Sequence, residues 1–110
     1  MINIKIKPMS VNMAWQGRKW KSKEYKTYEE ECRILLLTKK IKINPKDKLR
    51  VVYTFGMSNK CADIDNPIKP FQDILQNKYG FNDKMIYELK IKKVDCKKGE
   101  EFIEFAINSI

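Results

Sequence analysis

The chain contains no histidine. That absence excludes imidazole general acid–base catalysis, His-containing nucleophile triads and His zinc sites. Any catalysis must rest on carboxylates, lysines or metals. Cysteine is scarce: Cys32, Cys61 and Cys96 are scattered, odd in number and form no CxxC. A disulfide framework is not expected, and reduced thiols in a cytoplasmic compartment are. Long hydrophobic runs are missing too. The longest uninterrupted stretch of large aliphatics is Ile34–Leu37, far below the roughly 20 residues of a membrane span. The N-terminus alternates Ile with Lys and lacks the apolar stretch of a signal peptide. Acids are outnumbered, with 14 Asp and Glu against 23 Lys and Arg, for a formal charge of +9.

What is present suits one small folded domain over residues 1–110, with 43% hydrophobic residues. A chain this short buries a modest share of its surface, so dimerisation is a natural way to bury more. The positive surplus suits a polyanionic partner or simply a charged, solvated surface. Lys5, Lys7, Arg18, Lys19, Lys21, Lys23 and Lys26 face one acid, Glu24, in residues 1–28, with Trp15, Trp20 and Tyr25 among them. Such a mixture suits phosphates and stacked bases, although the aromatics equally suit a core, the commoner fate of a Trp.

Periodicity predicts the order β, α, β, α, β, β, an α+β fold with two helices packed on a small mixed sheet. Ile2, Ile4 and Ile6 alternate with polar residues up to Pro8. Residues 8–23 read as a long basic loop. A helix is expected from Thr27, with Thr27 and Glu30 as a capping box, Lys39 and Lys40 at its far end, and Tyr28, Cys32, Leu35 and Leu36 as its apolar stripe. Leu49–Phe55 reads as a buried strand ended by Gly56. A second helix is expected from about Pro67 to Lys78, capped by Asn66, with Phe71, Ile74, Leu75 and Tyr79 inward and Gly80 as its stop. Pro70 is awkward within it. Tyr87, Leu89 and Ile91 predict a third strand, and Ile103, Phe105 and Ile107 the last.

The chemistry concentrates in Asp63-Ile64-Asp65-Asn66, Lys69, Asp73 and Asn82-Asp83. In an extended segment Asp63 and Asp65 point to one side, with Ile64 inward. Two carboxylates at about 4 Å repel by about 4 kcal/mol at an effective dielectric near 20. A shared proton, a basic neighbour or a cation must offset that. Hard oxygen donors favour Mg²⁺, which activates water and polarises phosphoryl oxygens. Lys69 is placed to return toward this site, and Asp83 joins it if the third strand lies beside Asp63–Asp65. Equally, Asp-x-Asp-Asn before a helix serves as a turn and cap. Asp73, four residues after Lys69, has the spacing of its ion-pair partner.

At these residues the sequence resembles the RusA family of Holliday-junction resolvases, many of them phage-encoded. The family's Asp-x-Asp-Asn, following Lys, helix continuation and Asp-Asp pair fall on Asp63-Ile64-Asp65-Asn66, Lys69, Asp73-Ile74-Leu75 and Asn82-Asp83. Lys7-Pro8-Met9-Ser10-Val11-Asn12 is similar to its Pro-x-Ser-x-Asn opening, and Tyr25 and Lys90–Lys93 also correspond. The departures are Asn82, where the family has its first paired acid, and Pro70. The resemblance implies a Mg²⁺-dependent structure-selective DNA endonuclease of recombination and repair, with Mn²⁺ as an alternative ion. Asp63, Asp65 and Asp83 would hold the metal, and Lys69 would join them in catalysis. Arg18, Lys19, Lys21 and Lys23 would bind DNA backbone. A homodimer would match the two-fold symmetry of a four-way junction, each subunit hydrolysing one phosphodiester to 5′-phosphate and 3′-hydroxyl ends. The expected setting is the cytoplasm of a bacterial or phage-infected cell. The rival readings are a non-catalytic basic nucleic-acid-binding module and a small phage interaction protein.

Overall fold

A computed structural model of the chain describes residues 1–11, 15–16 and 20–110, with Trp15, Gln16 and Trp20 as backbone only. Its elements are β1 (Ile2–Ile4), β2 (Trp15–Gln16), β3 (Trp20–Lys21), α1 (Lys23–Leu35), β4 (Leu49–Met57), α2 (Ile68–Tyr79), a 3₁₀ turn (Asp83–Met85), β5 (Ile86–Asp95) and β6 (Phe102–Ser109). Strands β1, β6, β4 and β5 form one mixed sheet in that order, with β4–β5 parallel and the other pairs antiparallel. The fold is therefore α+β, in the element order expected. Strands β2 and β3 form a separate antiparallel ribbon inside the segment expected to be loop, with Trp15 beside Lys21 and Gln16 beside Trp20.

Alternation decides which sheet face is covered. Leu49, Val51, Tyr53 and Phe55 of β4 and Ile103, Phe105 and Ile107 of β6 are buried in one cluster with Tyr25, Tyr28, Cys32 and Leu36 of the first helical region and Phe71, Ile74 and Leu75 of α2. The Phe71 ring stands edge-on to Tyr53 and Phe105, with centroids 6.0 and 5.5 Å away. On the opposite sheet face Val52, Thr54, Phe102 and Ala106 are only half-buried. Burial pushes the Cys32 thiol up to about 12, which keeps it protonated and inert. All three cysteines are free. Among the described residues, no helix is long and apolar enough to cross a membrane.

Several local expectations are corrected. Helix α1 begins four residues before Thr27, because Ser22 is its N-cap and accepts a hydrogen bond from the Tyr25 N–H at 3.1 Å. Thr27 lies within the helix and donates to the Lys23 carbonyl, while Glu30 pairs with Arg33. The capping box is therefore absent, and the buried stripe is Tyr25, Tyr28, Cys32 and Leu36, with Leu35 exposed. The helix ends at Leu35, before Lys39 and Lys40. Pro67, not Asn66, caps α2, and without a side-chain bond. Pro70 is the third residue of α2, where its missing N–H would have had no partner in the helix.

Gly56 does not end β4, which continues to Met57. A β-carbon at Gly56 would lie 2.3 Å from the Phe102 ring. Gly56→Ala is expected to lower stability by about 1–3 kcal/mol, read as a lower urea midpoint at unchanged m-value. An unchanged midpoint would show that the ring moves aside freely.

Candidate active site

Helix α2 carries two stripes. Phe71, Ile74 and Leu75 face the core, and Lys69, Gln72, Asp73 and Gln76 share the adjoining polar face at spacings of three, four and seven. Gly80 closes the helix in the left-handed region, at φ 71°, and donates its N–H to the Gln76 carbonyl. The chain then doubles back along the helix. Asp83 donates its backbone N–H to Gln76 Oε1 at 2.9 Å, and Asp83 Oδ1 accepts from Gln72 Nε2 at 2.8 Å.

Lys69 Nζ sits between two acids, 2.9 Å from Asp73 Oδ1 and 3.5 Å from Asp83 Oδ2. The bond to Asp73, and the negative charge of both acids, hold its pKa above the usual lysine value. Its side chain is 56% exposed, so solvent screening limits such pairs to about 0–1 kcal/mol each. Their larger consequence is placement of a cation beside two carboxylates. These groups line a polar pocket of about 370 Å³ together with Lys21, Tyr25, Gln76, Asn77 and Asn82. Tyr25 donates its hydroxyl to the Pro70 carbonyl at 3.2 Å, tying α1 to the start of α2.

Asp63 and Asp65 occupy the connection from β4 to α2. That connection is not extended: residues 64–67 form turns, with hydrogen bonds from the Asn66 N–H to the Asp63 carbonyl and from the Ile68 N–H to the Asp65 carbonyl. Ile64 is 45% exposed rather than inward. No hydrogen bond or ion pair among the described residues engages the Asp63 or Asp65 carboxylate. Lys93 of β5 steadies the approach to them, donating to the Lys60 and Ala62 carbonyls at 2.9 and 2.6 Å.

The parallel β4–β5 pairing explains the layout. Leu49 lies beside Ile86 and Met57 beside Asp95, so the segment after β4 and the segment before β5 leave opposite ends of the sheet. Asp63 and Asp65 follow the first, and Asp83 precedes the second. The return of the chain along α2 after Gly80 brings Asp83 to Asp73 and to Lys69, the second residue of the helix and four residues after Asp65. Among the described residues, no group of three or more Asp, Glu, Cys or His side chains is placed to hold a metal ion.

Of the expected DNA contacts, Lys21 is paired with Glu29 at 2.9 Å, Lys23 is exposed at the first residue of α1, and Arg18 and Lys19 lie outside the described residues. Sequence reasoning missed Gln72 and Gln76. Their spacing from Lys69 was a usable signal, since i+3 and i+7 share its helix face.

The model of the family described as endodeoxyribonuclease RusA matches residues 5–105, and the chain belongs to that family. No curated protein matches it.

Proposed function

We propose that the chain is a single-domain, Mg²⁺-dependent nuclease that recognises branched DNA, four-way junctions above all, and hydrolyses paired phosphodiesters as a homodimer in the cytoplasm. The observation that carries this reading is the Lys69 ammonium held at Asp83 and Asp73 in a polar pocket, within a family of endodeoxyribonucleases. Asp63, Asp65 and Asp83 are the proposed ligands. Their chemistry suits Mg²⁺, which takes hard carboxylate oxygens and retains several waters, and binding it would require the Asp63–Asp65 turn and Asp83 to close into the three-acid group that the described residues do not form. That no hydrogen bond or ion pair among the described residues engages the Asp63 or Asp65 carboxylate is the supporting observation. When bound there, Mg²⁺, or Mn²⁺ in its place, would supply an activated water and polarise the scissile phosphate.

The chain's own groups do the rest. Lys69 offsets negative charge developing on the phosphate. Asp73 holds Lys69 at the pocket while leaving it solvent-exposed. Arg18, Lys19, Lys21 and Lys23 contact backbone phosphates, favouring junctions by shape rather than sequence. Two-fold symmetry of a dimer would present two such sites to opposed strands of a four-way junction.

Asp65→Asn tests the ligand assignment. Cleavage under Mg²⁺ is expected to fall by about 100-fold or more, with junction affinity retained. Cutting as fast as wild type would remove Asp65 from the site. Two observations favour a second reading, a non-catalytic basic module: Asp83 already has hydrogen-bond partners, and the described acids form no three-member cluster. Such a module would bind junctions with steep salt dependence and never nick them.

A further inference from the structure

Gln72 is the one buried polar residue of α2, at 9% exposure, and both ends of its amide are used. Its Oε1 accepts from the Tyr53 hydroxyl at 2.9 Å, and its Nε2 donates to Asp83 Oδ1 at 2.8 Å. Tyr53 lies in the middle of β4 with no exposed surface, its ring packed against Phe55 and Phe71. Burial holds its phenol pKa well above the usual value, so the hydroxyl remains a donor.

The chemistry fixes which way the amide points. An ionised carboxylate only accepts, so the side of Gln72 facing Asp83 must be NH₂. Reversing the amide would set a carbonyl oxygen against the carboxylate. The Tyr53 hydroxyl, donating to the other side, stabilises the orientation Asp83 needs. Gln76 holds the same aspartate by its backbone N–H, and its own NH₂ reaches Asp73 Oδ1 at 3.3 Å.

We infer that Gln72 is a positioning residue: a relay running Tyr53–Gln72–Asp83 anchors the carboxylate at the pocket to the rigid centre of the sheet. It acts through Asp83 and touches no substrate itself. The inference deepens the nuclease reading and rests on it for its catalytic consequence.

The test is a double-mutant cycle of Gln72→Met, which nearly keeps volume, and Tyr53→Phe, which removes one hydroxyl. Gln72→Met is expected to lower kcat on a four-way junction by about 10–100-fold while KM changes by less than about twofold. Tyr53→Phe alone lowers kcat less, and the double variant is no slower than Gln72→Met, because both break one relay. A second readout needs no cleavage: in ¹⁵N spectra the Gln72 side-chain NH₂ is slow to exchange in the wild type and fast in Tyr53→Phe. Multiplying losses, an unchanged kcat in Gln72→Met, or an NH₂ indifferent to Tyr53→Phe overturns the relay while leaving the nuclease reading intact. A protected Gln72 amide in a wild type that cuts no DNA contradicts the nuclease reading, and with it the catalytic role of Gln72.

Discussion

Asp83→Asn is expected to abolish junction cleavage, by about three orders of magnitude, while leaving the fold intact. Asn retains an acceptor where Asp83 Oδ1 receives the Gln72 amide, and it retains the backbone N–H that Gln76 accepts. What it loses is charge. A metal-bound phosphoryl transfer site stabilises its transition state by several kcal/mol, and about 4 kcal/mol corresponds to roughly a thousandfold in rate. Junction affinity should hold or rise, because one negative charge leaves a surface that meets phosphates. Thermal melting, junction binding and single-turnover cleavage measured on the same preparation separate these effects. Wild-type cleavage by the variant would mean that Lys69 and Asp73 gather around Asp83 for structural reasons alone.

The largest expected loss of stability is at Phe71→Ala. Phe71 has no exposed surface and makes edge contacts with Tyr53 and Phe105, so it joins α2 to both central strands. Truncation removes the transfer free energy of the ring and leaves a cavity, together about 3–5 kcal/mol. Against the roughly 5–15 kcal/mol of a small domain, that is a large fraction, and a melting temperature lower by roughly 15 °C or more is expected. The adjacent Gln72 would lose its footing as well, so activity should fall even where the protein remains folded. A fall of only a few degrees would show that the helix and sheet repack around the gap.

The four strands of the main sheet were legible in the sequence, Leu49–Phe55 from its Val, Tyr and Phe content and the others from alternation, whereas the β2–β3 ribbon lay in a segment without a clean period. The inward face of α2 was legible for the same kind of reason, since Phe71, Ile74 and Leu75 follow helical spacing. The start of α1 was not. Thr27 with Glu30 imitates a capping box, but a helix beginning there would leave Tyr25 outside the element that buries it against Pro70. Ser22, followed by Glu24 in the first turn, was the competing signal.

In the candidate site, Lys69 with Asp73 was readable from a spacing of four. The return of Asp83 to Lys69 was not, because it depends on Gly80 turning the chain back along α2. Nor does local sequence reveal that β4 and β5 pair in parallel, which makes α2 the crossover between them and lets the segment before β5 run back along that helix. Gln72 offered only its helical spacing from Lys69, because a glutamine declares no chemistry until its neighbours are known.

The most direct measurement is to incubate the wild-type protein with end-labelled four-way junction and with linear duplex, each with Mg²⁺ and with chelator, and to map the products at nucleotide resolution. Paired, symmetric nicks in the junction with Mg²⁺ alone, and an intact duplex, are the predicted result. Tight junction binding without a single nick in either Mg²⁺ or Mn²⁺ would contradict the account.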